Sequence, residues 1–146
     1  MPNKSNIWAF VRVTFLLLTG TIFVCCDDGS SSMGYIPNSP GIRMDTDSFT
    51  FDLAAQNCNA THYYSLTFST DTIGCSLQVE KYLSGNAIVV VRNGFMGVIY
   101  TDTISSNWNN YTKLSGSGIP TSCSVICNGF TGTITFMCFE NRPKTL

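Results

Sequence analysis

The sequence predicts an all-β domain: a disulfide-stabilised antiparallel sandwich, Ig-like or similar, of about seven short strands. Three observations carry that expectation. Short runs alternate apolar with polar residues, two β-branched runs flank Asn-Gly dipeptides, and seven cysteines fall in a chain of 146 residues. The composition agrees, since Ser, Thr, Asn, Gly and aromatics favour strands and turns, and no long stretch of helical apolar spacing follows residue 26.

Taken in order, residues 48–53 (SFTFDL) place Phe49, Phe51 and Leu53 on one face. Residues 63–69 (YYSLTFS) do the same with Tyr64, Leu66 and Phe68, and residues 75–79 (CSLQV) with Cys75, Leu77 and Val79. Asp71, Gly74, Ser84, Gly85 and Asn86 are turn-formers between them. Residues 87–101 (AIVVVRNGFMGVIYT) then read as a hairpin. Asn93-Gly94 is expected to form a two-residue type I′ turn, because both residues tolerate positive φ. That register sets Arg92 opposite Phe95 and Val91 opposite Met96. Both faces are apolar, so the hairpin is expected inside a two-layer structure.

Residues 105–118 are polar and read as loop, apart from Trp108 and Tyr111. Residues 123–139 (CSVICNGFTGTITFMCF) read as a second Asn-Gly hairpin turning between Cys127 and Phe130. Parity gathers Cys123, Val125, Cys127, Phe130, Ile134, Phe136 and Cys138 on one apolar face. Cys123 and Cys127 share a strand and cannot bond each other, because alternate residues advance about 6.6 Å and a disulfide needs Cα atoms within about 7 Å. The two hairpins echo each other, VVRNGFMGVI against VICNGFTGTI. Two copies are too few for a solenoid.

The N-terminus reads as a secretory signal over residues 1–26, with Lys4 and Arg12 before the apolar residues 13–24 (VTFLLLTGTIFV). That stretch is shorter than the ~20 residues of a bilayer span, so no stable membrane span is expected. Cleavage after Cys26 leaves five cysteines, and a cut after Cys25 leaves six with Cys26 among them; a cut after Gly20 is the further possibility. A polar lead-in follows over residues 27–47, the β-domain over 48–140, and a polar tail over 141–146. Cysteines behind such a leader point to an oxidising, extracellular location. A Cys-Asp-Asp-Gly-Ser run also leaves open a bacterial-type surface lipoprotein, although the residues before Cys25 lack the small residue such processing favours.

The chemistry that is absent narrows the function. Charged residues make up 12% with net charge −1, so no basic surface suits nucleic acid. One histidine, His62, excludes two-histidine metal sites, and no serine sits in a nucleophile elbow. No cofactor motif is present, and neither metal nor catalytic residue is expected. Two sequons, at Asn59 and Asn110, are glycan sites if the host is eukaryotic. Trp108, with Tyr111 nearby, is the candidate ligand contact.

Cys58, the run Gly74-Cys75-Ser76-Leu77-Gln78-Val79 and the closing ICNGFTGTITFMC resemble the nematode C6-type secreted domains of unknown function. The resemblance spans roughly residues 58–138, with Glu80-Lys81 where that family tends to place a second cysteine. It implies a small extracellular cysteine-bonded β domain and no activity. The disulfide candidates are Cys26, Cys58, Cys75, Cys123, Cys127 and Cys138. Six cysteines allow 15 pairings, and the expected two bonds are Cys58–Cys138 and Cys75–Cys127. The expected function is extracellular recognition of protein or glycan without catalysis. A matrix or coat component cross-linked through cysteine is the alternative, and oligomeric state is left open.

Overall fold

A computed structural model of the chain describes residues 36–141. The expected leader, Cys25, Cys26 and the tail from residue 142 lie outside the described residues. Six strands and no helix are found among those residues: β1 (Gly41–Met44), β2 (Ser48–Ser65), β3 (Ile73–Asn93), β4 (Val98–Ile104), β5 (Trp108–Leu114) and β6 (Pro120–Glu140). They form one antiparallel sheet in the order β1-β2-β6-β3-β4, with β5 beside the first half of β3 and β4 beside its second half.

Six strands replace the expected seven because three are long and each absorbs two predicted short ones. The alternating run at 48–53 is one end of β2 and the first three residues of the run at 63–69 are the other, the rest of that run lying beyond the strand; the runs at 75–79 and 87–91 fall at the two ends of β3. The expected second Asn-Gly hairpin does not form. β6 runs straight through Asn128-Gly129, pairing with β2 on one side and β3 on the other. β1 extends the sheet into the stretch read as a polar lead-in, and β5 forms where a loop was expected. The latter was hidden because its core-side positions, Trp108, Asn110, Thr112 and Leu114, carry no regular apolar alternation.

The long strands are bent. Phe49 and Tyr64 both belong to β2, yet their ring centroids lie 5.4 Å apart. A straight strand would separate them by roughly 50 Å at about 3.3 Å per residue, so β2 doubles back. Phe51 meets His62 of the same strand at 5.7 Å. The three bends share one level. β2 shifts register around Cys58, β3 between Glu80 and Asn86, and Cys58 and Ser84 stand opposite Phe130 and Thr131 of β6. Asn57, Lys81, Gly85 and Gly129 adopt positive φ along this line, the left-handed geometry of bulges. A Cβ at Gly85 would run into the Gly129 carbonyl, so only glycine fits that crossing.

Bending breaks ladder hydrogen bonds, and side chains replace them. The Asn57 N–H donates to Thr131 Oγ1 at 2.9 Å, the Gly129 N–H to Asn59 Oδ1 at 2.8 Å, and Tyr82 Oη to the Gly85 carbonyl at 2.9 Å. Between the folded halves lies the core: Phe49, Phe51, Leu53, Leu77, Val89, Val91, Val125, Phe130, Ile134 and Phe136 are each at most 1% exposed. Burying each such side chain contributes about 1.5–3 kcal/mol before entropy is counted. Tyr100 from β4 stacks on Phe136 at 5.7 Å, joining the half that carries β4 to the half that carries β5.

The first Asn-Gly turn forms, with a loop of three residues instead of two. Asn93 N–H donates to the Gly97 carbonyl at 2.9 Å and Met96 N–H to the Asn93 carbonyl at 3.0 Å. Arg92 therefore pairs with Val98 and Val91 with Tyr100, not with Phe95 and Met96. The cause is the Asn93 side chain. Its Oδ1 accepts from Phe95 N at 3.0 Å and Gly97 N at 2.9 Å, which makes asparagine the first residue of a type I turn. Met96 then takes the left-handed position, with φ +63°, that glycine usually fills in such loops.

Candidate functional site

The cysteines define the first candidate region. All five that are described, Cys58, Cys75, Cys123, Cys127 and Cys138, lie on the core face and are at most 2% exposed. Cys75 and Cys138 stand directly opposite in the β3–β6 register, their Sγ atoms 3.8 Å apart. Directly opposed antiparallel residues have Cα atoms about 4.5–5.5 Å apart, inside the range of about 4.4–6.8 Å that a disulfide spans. Cys127 lies close to the Cys58 thiol across the β2–β6 bulge, near enough for Cys58 to raise its pKa. The structure thus brings together Cys75 with Cys138 and Cys58 with Cys127, and not the Cys58–Cys138 and Cys75–Cys127 pairs expected. Pairing depends on register, and register changed once β6 proved continuous.

Cys123 is the fifth, lying near Cys75 and Cys138. Burial pushes its thiol up to about 12, with the Cys75 sulfur adding to the effect. Burial also pushes Cys127 up to about 12, helped by Cys58. Cys138 rises chiefly through its hydrogen bond with Cys75 and then through burial. Raised thiols hold their protons and attack poorly, so none of these three is poised as a nucleophile.

The second region is a cleft of about 350 Å³ where β5 begins, lined by Gln78, Val79, Glu80, Asn107, Trp108 and Asn109. Trp108 pairs with Val79 and Asn109 with Gln78. Beyond Glu80, Lys81 takes a left-handed backbone conformation at φ +51°. Asn107 is pinned there, its Oδ1 accepting the Tyr82 N–H at 2.9 Å. Gln78 Nε2 donates to Glu80 Oε1 at 2.6 Å. Trp108 remains 49% exposed at the sheet edge.

Tyr111 does not join Trp108. Three residues apart on one strand, the two project to opposite faces. Tyr111 stacks instead on Phe139 at 6.2 Å, over Gly74, where an added Cβ would come within 2.7 Å of the Phe139 ring. Of the sequon asparagines, Asn59 is exposed but uses both ends of its amide, accepting from Gly129 N and donating to the Asn57 carbonyl at 3.2 Å. Asn110 pairs with Leu77 on the core-facing side of β5 and is half-buried. His62 packs on Phe51, and its buried Nε2 has no hydrogen-bond partner among the described residues.

The fold class is therefore an all-β antiparallel sheet. No helix among the described residues is long and apolar enough to cross a membrane. No protein-family model matches the chain, and no curated protein matches it in sequence. Among solved structures it is similar to a protein of Bacillus endospore appendages, described as a novel family of disulfide-linked pili, with TM-score 0.43 and 13% identity over 73% of this chain and 94% of that one. It is also similar to part of a Glycosylation Associate Protein (Gap123) complex from Streptococcus agalactiae, with TM-score 0.36 and 12% identity over 73% of this chain and 42% of that one. A capsular polysaccharide assembling protein, CapF, from Staphylococcus aureus gives TM-score 0.30 and 11% identity, over 79% and 31%.

Proposed function

We propose that this chain is a secreted, disulfide-stapled β-domain that acts by binding and not by catalysis, its folded sheet serving as the two layers of a sandwich. The observation that carries the reading is that Cys75 faces Cys138 and Cys58 lies beside Cys127 inside the core. In an oxidising compartment each pair gives up two protons and two electrons to a disulfide donor and closes a bridge worth about 2–4 kcal/mol. Extracellular protein or glycan is the partner class, and the nematode C6-type resemblance belongs to the same reading.

Cys123 supports a second reading, a matrix or coat subunit cross-linked through sulfur. It is the odd cysteine of the five, but it is fully buried, so a link between chains falls to Cys26, retained by the cut after Cys25, in this alternative. Intact mass of the secreted protein, before and after reduction, tests both. Two bridges add four hydrogens on reduction and leave monomer on a non-reducing gel. Fully titratable thiols in the native protein, or turnover of a substrate, overturn the first reading, and a reducible ladder favours the second.

A further inference from the structure

We infer that the turn between β3 and β4 is a lipid-binding crest, which seats Phe95 and Met96 in the headgroup boundary of an anionic bilayer. The site is separate from the Trp108 cleft and goes beyond the binding of protein or glycan proposed above. Phe95 is 97% and Met96 65% exposed. Val98, where β4 begins, and Ile119, next to the Pro120 that pairs with Asn93, flank them and are about half exposed. Four large apolar side chains thus gather at one end of the sheet, where a water-facing surface ordinarily carries them singly.

What marks the crest as a lipid contact is its backbone. The N–H groups of Asn93 and Met96 donate to the Gly97 and Asn93 carbonyls, and those of Phe95 and Gly97 donate to Asn93 Oδ1. The Met96 carbonyl accepts from the Arg92 guanidinium at 3.0 Å, and Asn93 Nδ2 donates to the Ser117 carbonyl at 3.1 Å. Apolar surroundings penalise every backbone donor left without an acceptor, and these four N–H groups already have theirs. A protein partner is held in part through such groups, at about one hydrogen bond per 100–200 Å², and this loop has turned them inward. The same bonds fix the loop in one shape, so little further order is lost on entry. The turn is also convex, which suits a fluid surface that closes around it.

Charge selects the lipid. Residues 92–101 and 103–121 contain Arg92 and Lys113 and no aspartate or glutamate. Asp102, the acid between those segments, pairs with Val89, three residues below Arg92 and so about 10 Å further from the crest. Arg92 is half-buried at the neck of the loop, with one guanidinium nitrogen on the Met96 carbonyl. With Phe95 and Met96 at the acyl boundary, its remaining donors stand at the depth of the phosphates.

The test is flotation of the purified native protein with vesicles of phosphatidylcholine alone and of phosphatidylcholine mixed with phosphatidylglycerol. The expected result is binding to the mixed vesicles, about fivefold weaker on phosphatidylcholine alone. Changing Phe95→Ala and Met96→Ala together lowers it at least about tenfold, and circular dichroism shows that the double variant keeps its fold. Arg92→Gln costs about fivefold on the mixed vesicles and nothing on phosphatidylcholine. The sequence has two tryptophans, Trp8 and Trp108. With both changed to phenylalanine, Phe95→Trp puts the sole indole at the crest, and its emission moves to the blue on the mixed vesicles. Trp108 in a Trp8→Phe background, beside Val79 at the bend of β3, stays unshifted. Residues 13–24 are apolar in their own right, so the ratio of wild type to double variant and the Phe95→Trp emission are the deciding readouts. No binding to either vesicle, a ratio near one in a folded double variant, or an unshifted Phe95→Trp emission on bound vesicles overturns the assignment. So does a dimer, seen by sedimentation, that Phe95→Ala dissolves while the vesicles stay bare, which gives the crest to a second copy.

Discussion

The segments 90–99 (VVRNGFMGVI) and 125–134 (VICNGFTGTI) share six residue types in register and fold differently. In the first, Asn-Gly-Phe reverses the chain and Phe95 stands 97% exposed. In the second, the same three residues lie inside β6 and Phe130 is 0% exposed. The asparagines explain how. Asn93 turns its carboxamide inward on its own loop, capping Phe95 N and Gly97 N and donating to the Ser117 carbonyl at 3.1 Å. Asn128 turns outward, donating to Asn86 Oδ1 of β3 at 3.0 Å. Neighbours explain why. β6 has a strand on each side, and a reversal at Gly129 would forfeit two ladders where a bulge forfeits one residue. Arg92, in place of Cys127, further secures the first turn by donating to the Met96 carbonyl at 3.0 Å. Asn-Gly is thus a permission to depart from the strand, and the surrounding sheet decides between a turn and a kink.

The largest test of that contrast exchanges the two phenylalanines. Phe130→Ala should lose about 3–5 kcal/mol of unfolding free energy, while Phe95→Ala should stay within about 0.5 kcal/mol of wild type. Equal losses by denaturant titration would mean that the tip of the first turn is covered. Next come the asparagines. Asn93→Ala removes three hydrogen bonds and should cost about 1–2 kcal/mol, whereas Asn128→Ala removes one and should cost about 0.5 kcal/mol. The reverse order would show that the bend, and not the turn, depends on its carboxamide.

Met96 sharpens the comparison with the opposite sign. Its left-handed φ costs an L-residue about 1 kcal/mol, so Met96→Gly should raise the melting temperature and leave the fold unchanged. A drop would show that the methionine side chain contributes more than the strain removes. The smallest effect is acid. Burial lowers the His62 pKa from its usual 6.5, so the unfolded chain takes up the proton more readily. Stability contributed by neutral His62 is complete above about pH 6.5 and declines as pH falls below it. Hydrogen exchange should then rise first in the arm of β2 around His62, where it meets Phe51, and not at the turn after Asn93. His62→Gln should flatten that dependence.

Much of the core was legible from alternation. Phe49, Phe51, Leu53, Leu66, Phe68, Cys75, Leu77 and Val79 are buried as parity predicts. The face containing Cys123, Val125, Cys127, Phe130, Ile134, Phe136 and Cys138 is buried too, although the hairpin that predicted it does not exist. The reason is geometric. A two-residue turn and a one-residue bulge both shift strand parity by one, so either places Cys127 and Phe130 on the same side. For the same reason the sequence could not separate bends from turns, and the continuity of β2, β3 and β6 stayed hidden. The Trp108 cleft was half legible. The tryptophan stood out, but its partners Gln78 and Glu80 lie on β3 and become neighbours only through a β5 that carries no apolar signal.

The sealed position of the sulfurs bears on when they join. With Cys75 and Cys138 at most 1% exposed, an oxidant has no route to them once the halves have closed, and a reductant has none afterwards. On the disulfide reading proposed above, the bridges are set while the chain is still open, by whatever surroundings it meets during those moments. A bridged or unbridged Cys75–Cys138 pair in the finished domain is therefore a lasting chemical record of the compartment in which it was made.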